Sequence, residues 1–186
     1  DASMEQMRKA LGMGADRGIL VLDERQLDSF AVARILKAVV LQQQPQLVLM
    51  GKQAIDDDSN QVGQMLAGLL GWAQATFVSK IELYEQRQKA VCARETDNGL
   101  EVIKAQLPAV ITADLRLNEP RYVSLPGLMK AKSKPVEETT CEKLGVEVQP
   151  RTRLLAIEQP PRRPPGQKVT TVEELVDRLR NEVKVI

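Results

Sequence analysis

The sequence predicts an α/β domain in which a mostly parallel sheet is flanked by helices. Two short apolar runs, at 19–22 and 47–50, have the length and composition of buried strands. Between them, apolar residues recur at helical spacing over 29–43, and this order is typical of a β-α-β unit with a right-handed crossover. Shorter apolar patterns at 76–112, with a turn at 97–99, add strands, some of which we expect to pair antiparallel.

A helix at the start and a strand near the middle extend this domain. Met4, Met7 and Leu11 fall on one face of a helix over 1–11. The run at 107–112 is apolar on both of its faces, as expected of a strand covered on two sides. We therefore expect it to lie inside the sheet.

A third helix is predicted over 60–70. Asp58 is its expected N-cap, and Gln61, three residues later, would close a capping box. Small residues keep one flank of this helix thin, namely Gly63, Ala67, Gly68 and Gly71. Either close packing on the sheet or space for a ligand explains such a flank.

The last part of the chain differs in composition from the domain before it. A proline-rich segment at 159–166 has the character of an extended linker. Beyond it, Thr171 and Glu174 form a capping-box pattern. One helix face then carries Val172, Leu175, Val176, Leu179 and Val183. We predict an α/β domain over 1–150 and an arm over 151–186, which either docks on another chain or folds back.

The composition excludes several classes of protein. The 186 residues are 43% hydrophobic with a formal charge of +1, so the broad basic field needed for nucleic-acid or anionic-membrane binding is missing. Histidine is absent, which excludes a Ser-His-Asp triad and histidine-ligated metal. The two cysteines form no Cys-x-x-Cys pair and suit a reducing compartment. No apolar run is long enough for a membrane span, and no signal peptide is visible.

The segment 51–61 is the best-placed candidate for ligand binding. It lies between the end of a predicted strand and the start of a helix, where ligands bind in open α/β sheets. Free N–H groups at the helix start would favour a phosphate, Gly51 would allow close approach, and Lys52 or Gln53 could contact the anion. Helix capping alone, or a magnesium site built on the aspartates 56–58, would also account for this pattern.

A second candidate is the segment 113–134. Its first part mixes charges densely and is either a salt-bridged corner or a site. Its second part places Leu125, Leu128 and Met129 next to Lys130, Lys132 and Lys134. Two interpretations remain open: a short helix packed by its apolar side, or a mobile anchor that enters a partner's pocket with positive charge around it.

Several long motifs, in order along the chain, resemble the electron transfer flavoprotein β-subunit family. They are MGADRGI at 13–19, the segment 51–60, QxGQM at 61–65, LPAV at 107–110, and TADLRLNEPRY at 112–122 followed by LP and MKAK. The resemblance implies a Rossmann-like fold similar to adenine nucleotide alpha hydrolase-like domains. It also implies a heterodimer whose α subunit holds most of the FAD contacts, while the β subunit binds AMP.

The resemblance assigns roles to two sets of residues. The AMP segment corresponds to Gly51, Lys52, Gln53, Ala54, Ile55, Asp56, Asp57, Asp58, Ser59, Asn60, Gln61 and Val62. The loop that recognises acyl-CoA dehydrogenases corresponds to 113–134, with Leu125 at the anchoring leucine. Its candidate contact residues are Ala113, Arg121, Tyr122, Leu125, Pro126, Met129, Lys130 and Lys132.

The implied function is that of an electron carrier subunit without catalytic residues of its own. The α-bound FAD would take electrons from dehydrogenases of fatty acid β-oxidation and pass them to electron transfer flavoprotein–ubiquinone oxidoreductase. Two alternatives stay open: a bifurcating flavoprotein with a second FAD in place of AMP, and a nucleotide-binding regulatory domain without a redox role. A mitochondrial matrix or a bacterial cytoplasm would suit the cysteine usage.

Overall fold

The computed structural model describes residues 2–84, 86, 88–149, 151–163 and 165–186. Asp1 of the predicted first helix, Pro150 at the predicted domain end and Pro164 of the proline-rich segment lie outside the described residues. The chain forms two compact units, residues 1–152 and 153–186. The elements are α1 (Ala2–Met13), β1 (Gly18–Leu22), α2 (Ser29–Gln43), β2 (Leu47–Gly51), α3 (Val62–Leu70), β3 (Ala73–Tyr84), β4 (Lys89–Thr96), β5 (Gly99–Gln106), β6 (Ala109–Ala113), α4 (Leu125–Ser133), β7 (Val136–Thr140) and α5 (Val172–Arg178).

A five-stranded sheet with the order β2-β6-β3-β4-β5 forms the centre of the first unit. Strand β6 pairs in parallel with both β2 and β3, whereas β3, β4 and β5 pair antiparallel. The first four residues of β6 are buried, in agreement with its apolar sequence. Val110 packs with Leu66 and Ala67 of α3 on one face of the sheet, while Ile111 belongs to the cluster on the other. The α/β fold class and the antiparallel hairpin at 97–99 are thus confirmed.

The strands β1 and β2 do not form the predicted β-α-β unit. Strand β1 pairs in parallel with β7, and these two strands make a separate sheet. Strand β2 instead pairs with β6. Apolar runs identify buried strands, but the hydrogen-bonding partner depends on contacts distant in sequence. Strand β7 has the mostly polar sequence Val-Glu-Glu-Thr-Thr and was not predicted, because it lacks an apolar run.

The helix α3 begins at Val62, and its predicted capping box is wrong. The N-cap residue is Gln61, whose side chain makes no capping hydrogen bond. Asp58 has a positive φ of 56°, and its carboxylate accepts from Gln53 instead. The thin flank of α3 serves close packing at Gly63, where an added Cβ would lie 2.4 Å from Thr112 Cγ2.

The second unit contains a segment at 153–170 without regular secondary structure in its described residues, followed by α5 and a π-helical turn at Leu179–Val183. Thr171 is the N-cap of α5, and its hydroxyl accepts from Glu174 N at 3.2 Å. In a capping box the Glu174 carboxylate would accept from the backbone N–H of Thr171. It accepts instead from Thr170 N, one residue earlier. No helix among the described residues of either unit has the length and apolar character needed to cross a membrane.

Candidate functional site

The loop after β2 and the segment after β6 start side by side. Because β2 and β6 are parallel and in register, Gly51 lies opposite Ala113. Lys52 N donates to Ala113 O at 3.1 Å, which extends the pairing by one residue. The sheet therefore brings the first residues of both predicted segments together at the carboxyl ends of two adjacent strands.

A cleft of about 250 Å³ lies beside the loop 51–62. Its opposite wall comes from Ser29, Val32 and Leu36 of α2. The predicted binding residues that line this cleft are Gly51, Lys52, Gln53, Ala54, Asp57, Ser59, Asn60, Gln61 and Val62. Ile55, Asp56 and Asp58 do not line it, and the Ile55 side chain is fully exposed.

The three adjacent aspartates shape the loop through hydrogen bonds within it. The Asp56 carboxylate accepts from Asp57 N at 3.0 Å, and the Asp57 carboxylate accepts from Ser59 N at 3.2 Å. Gln53 Nε2 donates to both the carboxylate and, at 3.2 Å, the carbonyl oxygen of Asp58. The described residues contain no group of three or more acidic, cysteine or histidine side chains that could hold a metal ion. Nothing in this geometry favours the magnesium interpretation.

Two features of the loop suit an anion. An added Cβ at Gly51, which lines the cleft, would meet no atom within 4 Å, so there is open space beside the backbone at this residue. At the other end, the Gln61 side chain leaves the first N–H groups of α3 uncapped. Unpaired N–H groups at a helix start, together with the helix dipole, attract negative charge.

Lys52 is tied to Asp114 and is not a free cation. Its Nζ lies 2.6 Å from Asp114 Oδ2, and it also lies 5.4 Å from the centre of the Phe77 ring. Asp114 is buried, and it accepts further bonds from the backbone N and Nε of Arg116 at 3.1 and 3.3 Å. The Lys52 ammonium, and then the Arg116 N–H, lower the pKa of Asp114 to about 2. Arg116 also pairs with Glu95 of β4 at 3.4 Å, so the predicted salt-bridged corner exists.

The segment 113–134 ends in an ordered helix with an apolar face in solvent. Ser124 is the N-cap of α4, its hydroxyl accepts from Gly127 N at 3.2 Å, and Pro126 occupies the first turn. Leu125 and Met129, one turn apart, are 72% and 67% exposed. Tyr122, just before the helix, is 93% exposed. Arg121, Lys130 and Lys132 are exposed as well.

Comparison with known proteins gives the family of the chain. Residues 1–144 match the electron transfer flavoprotein domain family. The mitochondrial electron transfer flavoprotein subunit beta of Oryza sativa subsp. japonica is 52% identical over 188 aligned residues, which cover 99% of this chain and 74% of the relative. This chain belongs to the electron transfer flavoprotein β-subunit family.

Other β subunits of the family have similar sequence identity to this chain and similar coverage. The electron transfer flavoprotein subunit beta of Bradyrhizobium diazoefficiens is 54% identical, with 98% of this chain and 72% of the relative covered. The subunit from Sus scrofa is 49% identical, with 95% and 70% covered. The resemblance predicted from the motifs is thereby confirmed.

The ion pair between Lys52 and Asp114 at this site was not predicted from the sequence. Lys52 and Asp114 are 62 positions apart, and both were expected to act within their own segments. Their pairing follows from the adjacency of β2 and β6, which an apolar pattern does not reveal. A buried carboxylate directly after an apolar strand, with a lysine directly after another, is the signal that could have suggested it.

Proposed function

We propose that this β subunit forms a heterodimer with an electron transfer flavoprotein α subunit and binds AMP in the cleft beside the loop 51–62. The open backbone at Gly51 and the uncapped start of α3 support this location. Because Lys52 is already paired with Asp114, the phosphate would be held chiefly by neutral N–H donors. In this proposal AMP has a structural role and reacts with nothing.

The docking proposal rests on the exposed apolar face of α4. Leu125 and Met129 form its centre, Tyr122 adds an aromatic side chain, and Lys130 and Lys132 lie at its margin. Such a surface fits a partner with an apolar pocket and acidic groups around it. We assign this partner to acyl-CoA dehydrogenases, with Leu125 as the residue that enters the pocket.

In the complete complex, FAD held mainly by the α subunit would accept and release the electrons. The residues of this chain would bind AMP, orient the dehydrogenase and support the flavin-bearing subunit, and none of them would take part in bond making. Electrons would leave to electron transfer flavoprotein–ubiquinone oxidoreductase. The predicted arm over 151–186 would dock on the α subunit. We place the complex in a mitochondrial matrix or a bacterial cytoplasm, since relatives come from plant mitochondria and from a bacterium.

Substitution of the docking leucine tests this proposal. In the purified heterodimer, Leu125→Ala should lower kcat/KM for reduction by an acyl-CoA dehydrogenase about tenfold or more, since truncation of a central interface anchor typically has such effects. The FAD absorption spectrum and the AMP content should stay unchanged. Leu100→Ala on β5 is the matched control, because Leu100 is 67% exposed and lies outside the docking segment. Unaltered dehydrogenase kinetics in Leu125→Ala would overturn the proposed docking role.

A further inference from the structure

The docking helix α4 is held on α1 by hydrogen bonds that run in both directions. Arg8 Nη1, from α1, donates to Ala131 O at 2.7 Å and to Lys134 O at 2.9 Å. Lys134 Nζ, from the end of α4, donates to Leu11 O at 3.0 Å and to Ala15 O at 2.5 Å. The last carbonyl groups of a helix have no partners within it. Each helix thus supplies a cation that satisfies carbonyl groups at the end of the other, where positive charge also suits the dipole.

The two helices also approach closely around two glycines. An added Cβ at Gly12 would lie 2.8 Å from Val123 Cγ1, and one at Gly127 would lie 3.2 Å from Gly12 O. Leu11 and Ala131 are buried at this contact. A contact without space for a methyl group leaves α4 little freedom to shift on α1. This geometry favours a fixed helix over the mobile anchor considered from the sequence.

The two lysines of α4 and its C-cap residue, Lys134, therefore divide into two kinds. Lys130 and Lys132 are exposed and make no contact with α1 among the hydrogen bonds and ion pairs of the described residues. Lys134 is half-buried and directs its ammonium group at α1. A charge that already serves two backbone carbonyls is poorly placed to pair with an acidic group on another protein.

We propose that Arg8 and Lys134 are positioning residues that preform α4 for docking, and that, of the three lysines at 130–134, only Lys130 and Lys132 supply charge that faces the dehydrogenase. This inference rests on the proposed docking function. A segment that is already held in its binding conformation loses less conformational entropy on association. The apparent dissociation constant is therefore lower when a larger fraction of the protein is competent to bind. Lys134 would thus act on affinity through the order of α4, and Lys130 through electrostatic attraction.

Hydrogen exchange and binding kinetics in the purified heterodimer separate these roles. Lys134→Met keeps an unbranched side chain, one atom shorter than lysine, and removes its charge, and Arg8→Met tests the other half of the contact. For both, we expect amide exchange in α4 to accelerate about tenfold and dehydrogenase dissociation to accelerate similarly, as for loss of a charge-assisted hydrogen bond. The matched control, Lys130→Met, should leave exchange unchanged, slow association and weaken its salt dependence.

The failures of the two proposals are distinguishable. Unchanged α4 exchange in both Lys134→Met and Arg8→Met, or a weakened salt dependence of association in Lys134→Met equal to that in Lys130→Met, would overturn the positioning role. Unchanged docking in Leu125→Ala would overturn the docking function itself, and the exchange rates of the free heterodimer would still decide whether Arg8 and Lys134 hold α4.

Discussion

At the scale of single residues, Asp114 connects the two candidate segments. Its buried carboxylate binds the ammonium group of Lys52 from the loop 51–62 and the N–H groups of Arg116 from the segment 113–134. A buried carboxylate is stable when several donors satisfy it, and removal of the charge leaves those donors without an acceptor of equal strength. The order of both segments should therefore depend on this one group.

We predict that Asp114→Asn lowers the free energy of unfolding by about 1–3 kcal/mol at neutral pH, the range for hydrogen bonds to charged groups. The pKa of Asp114 in the folded protein, about 2, lies below its ordinary value of 3.8. The contribution of the charged carboxylate is therefore complete above about pH 4 and is lost as the pH falls toward 2. Urea unfolding at several pH values measures it.

The difference in the free energy of unfolding between wild type and Asp114→Asn should shrink as the pH falls. At low pH the wild-type carboxyl group is neutral, as the asparagine side chain is at every pH. Asp16→Asn serves as the control, since Asp16 is an exposed aspartate outside both segments. A difference between wild type and Asp114→Asn that is constant from neutral to acidic pH would contradict the assigned role of the charge.

At the scale of elements, α3, the helix that follows the loop 51–62, packs closely on the sheet at a single small residue. Gly63 sits in the first turn of α3, directly against Thr112 of β6. The close contact limits how far the first turn of α3 can shift on β6. The sequence predicted a thin flank on this helix, but it did not show which of the four small residues makes the contact.

We predict that Gly63→Ala lowers the free energy of unfolding by about 1–3 kcal/mol, the usual cost of overpacking. The added methyl group would lie 2.4 Å from Thr112 Cγ2, so the helix or the strand must shift. Gly68→Ala is the matched control on the same helix, because a Cβ there meets no atom within 4 Å. It should be neutral or stabilising by up to about 1 kcal/mol, the gain in helix propensity. Equal effects of both substitutions in thermal or urea unfolding would contradict this account.

The helices and strands differ in how well the sequence predicts them. Bounds of α2 and β2 agree closely with the prediction, because long apolar patterns and a following proline identify them. The predicted capping of α3 by Asp58 was wrong, since the Asp58 carboxylate accepts from the Gln53 side chain instead. The strand β7 was not predicted because its mostly polar sequence has no apolar pattern typical of a strand, although all five of its residues pair with β1.

At the scale of the whole molecule, the chain combines two surfaces in one α/β unit. Parallel pairing of β2 and β6 puts the cleft beside the loop 51–62 and the start of the segment 113–134 at one end of the sheet. The sequence predicted that each of these segments follows a strand, and both do. The contact that joins them, Lys52 with Asp114, spans 62 positions, and the contact of Lys134 with Leu11 of α1 spans 123, so both depend on the tertiary structure.

In our proposal, this β subunit binds AMP beside the loop 51–62, while FAD belongs mainly to the α subunit. The most direct measurement denatures the purified heterodimer and identifies the released nucleotides by mass, per mole of each chain. We expect one AMP and one FAD. Gly51→Val, whose side chain would project into open space, should release FAD alone, because it blocks the approach of a phosphate. Two FAD without AMP would rule out AMP as the ligand of this subunit, and AMP retained in Gly51→Val would rule out its binding beside Gly51.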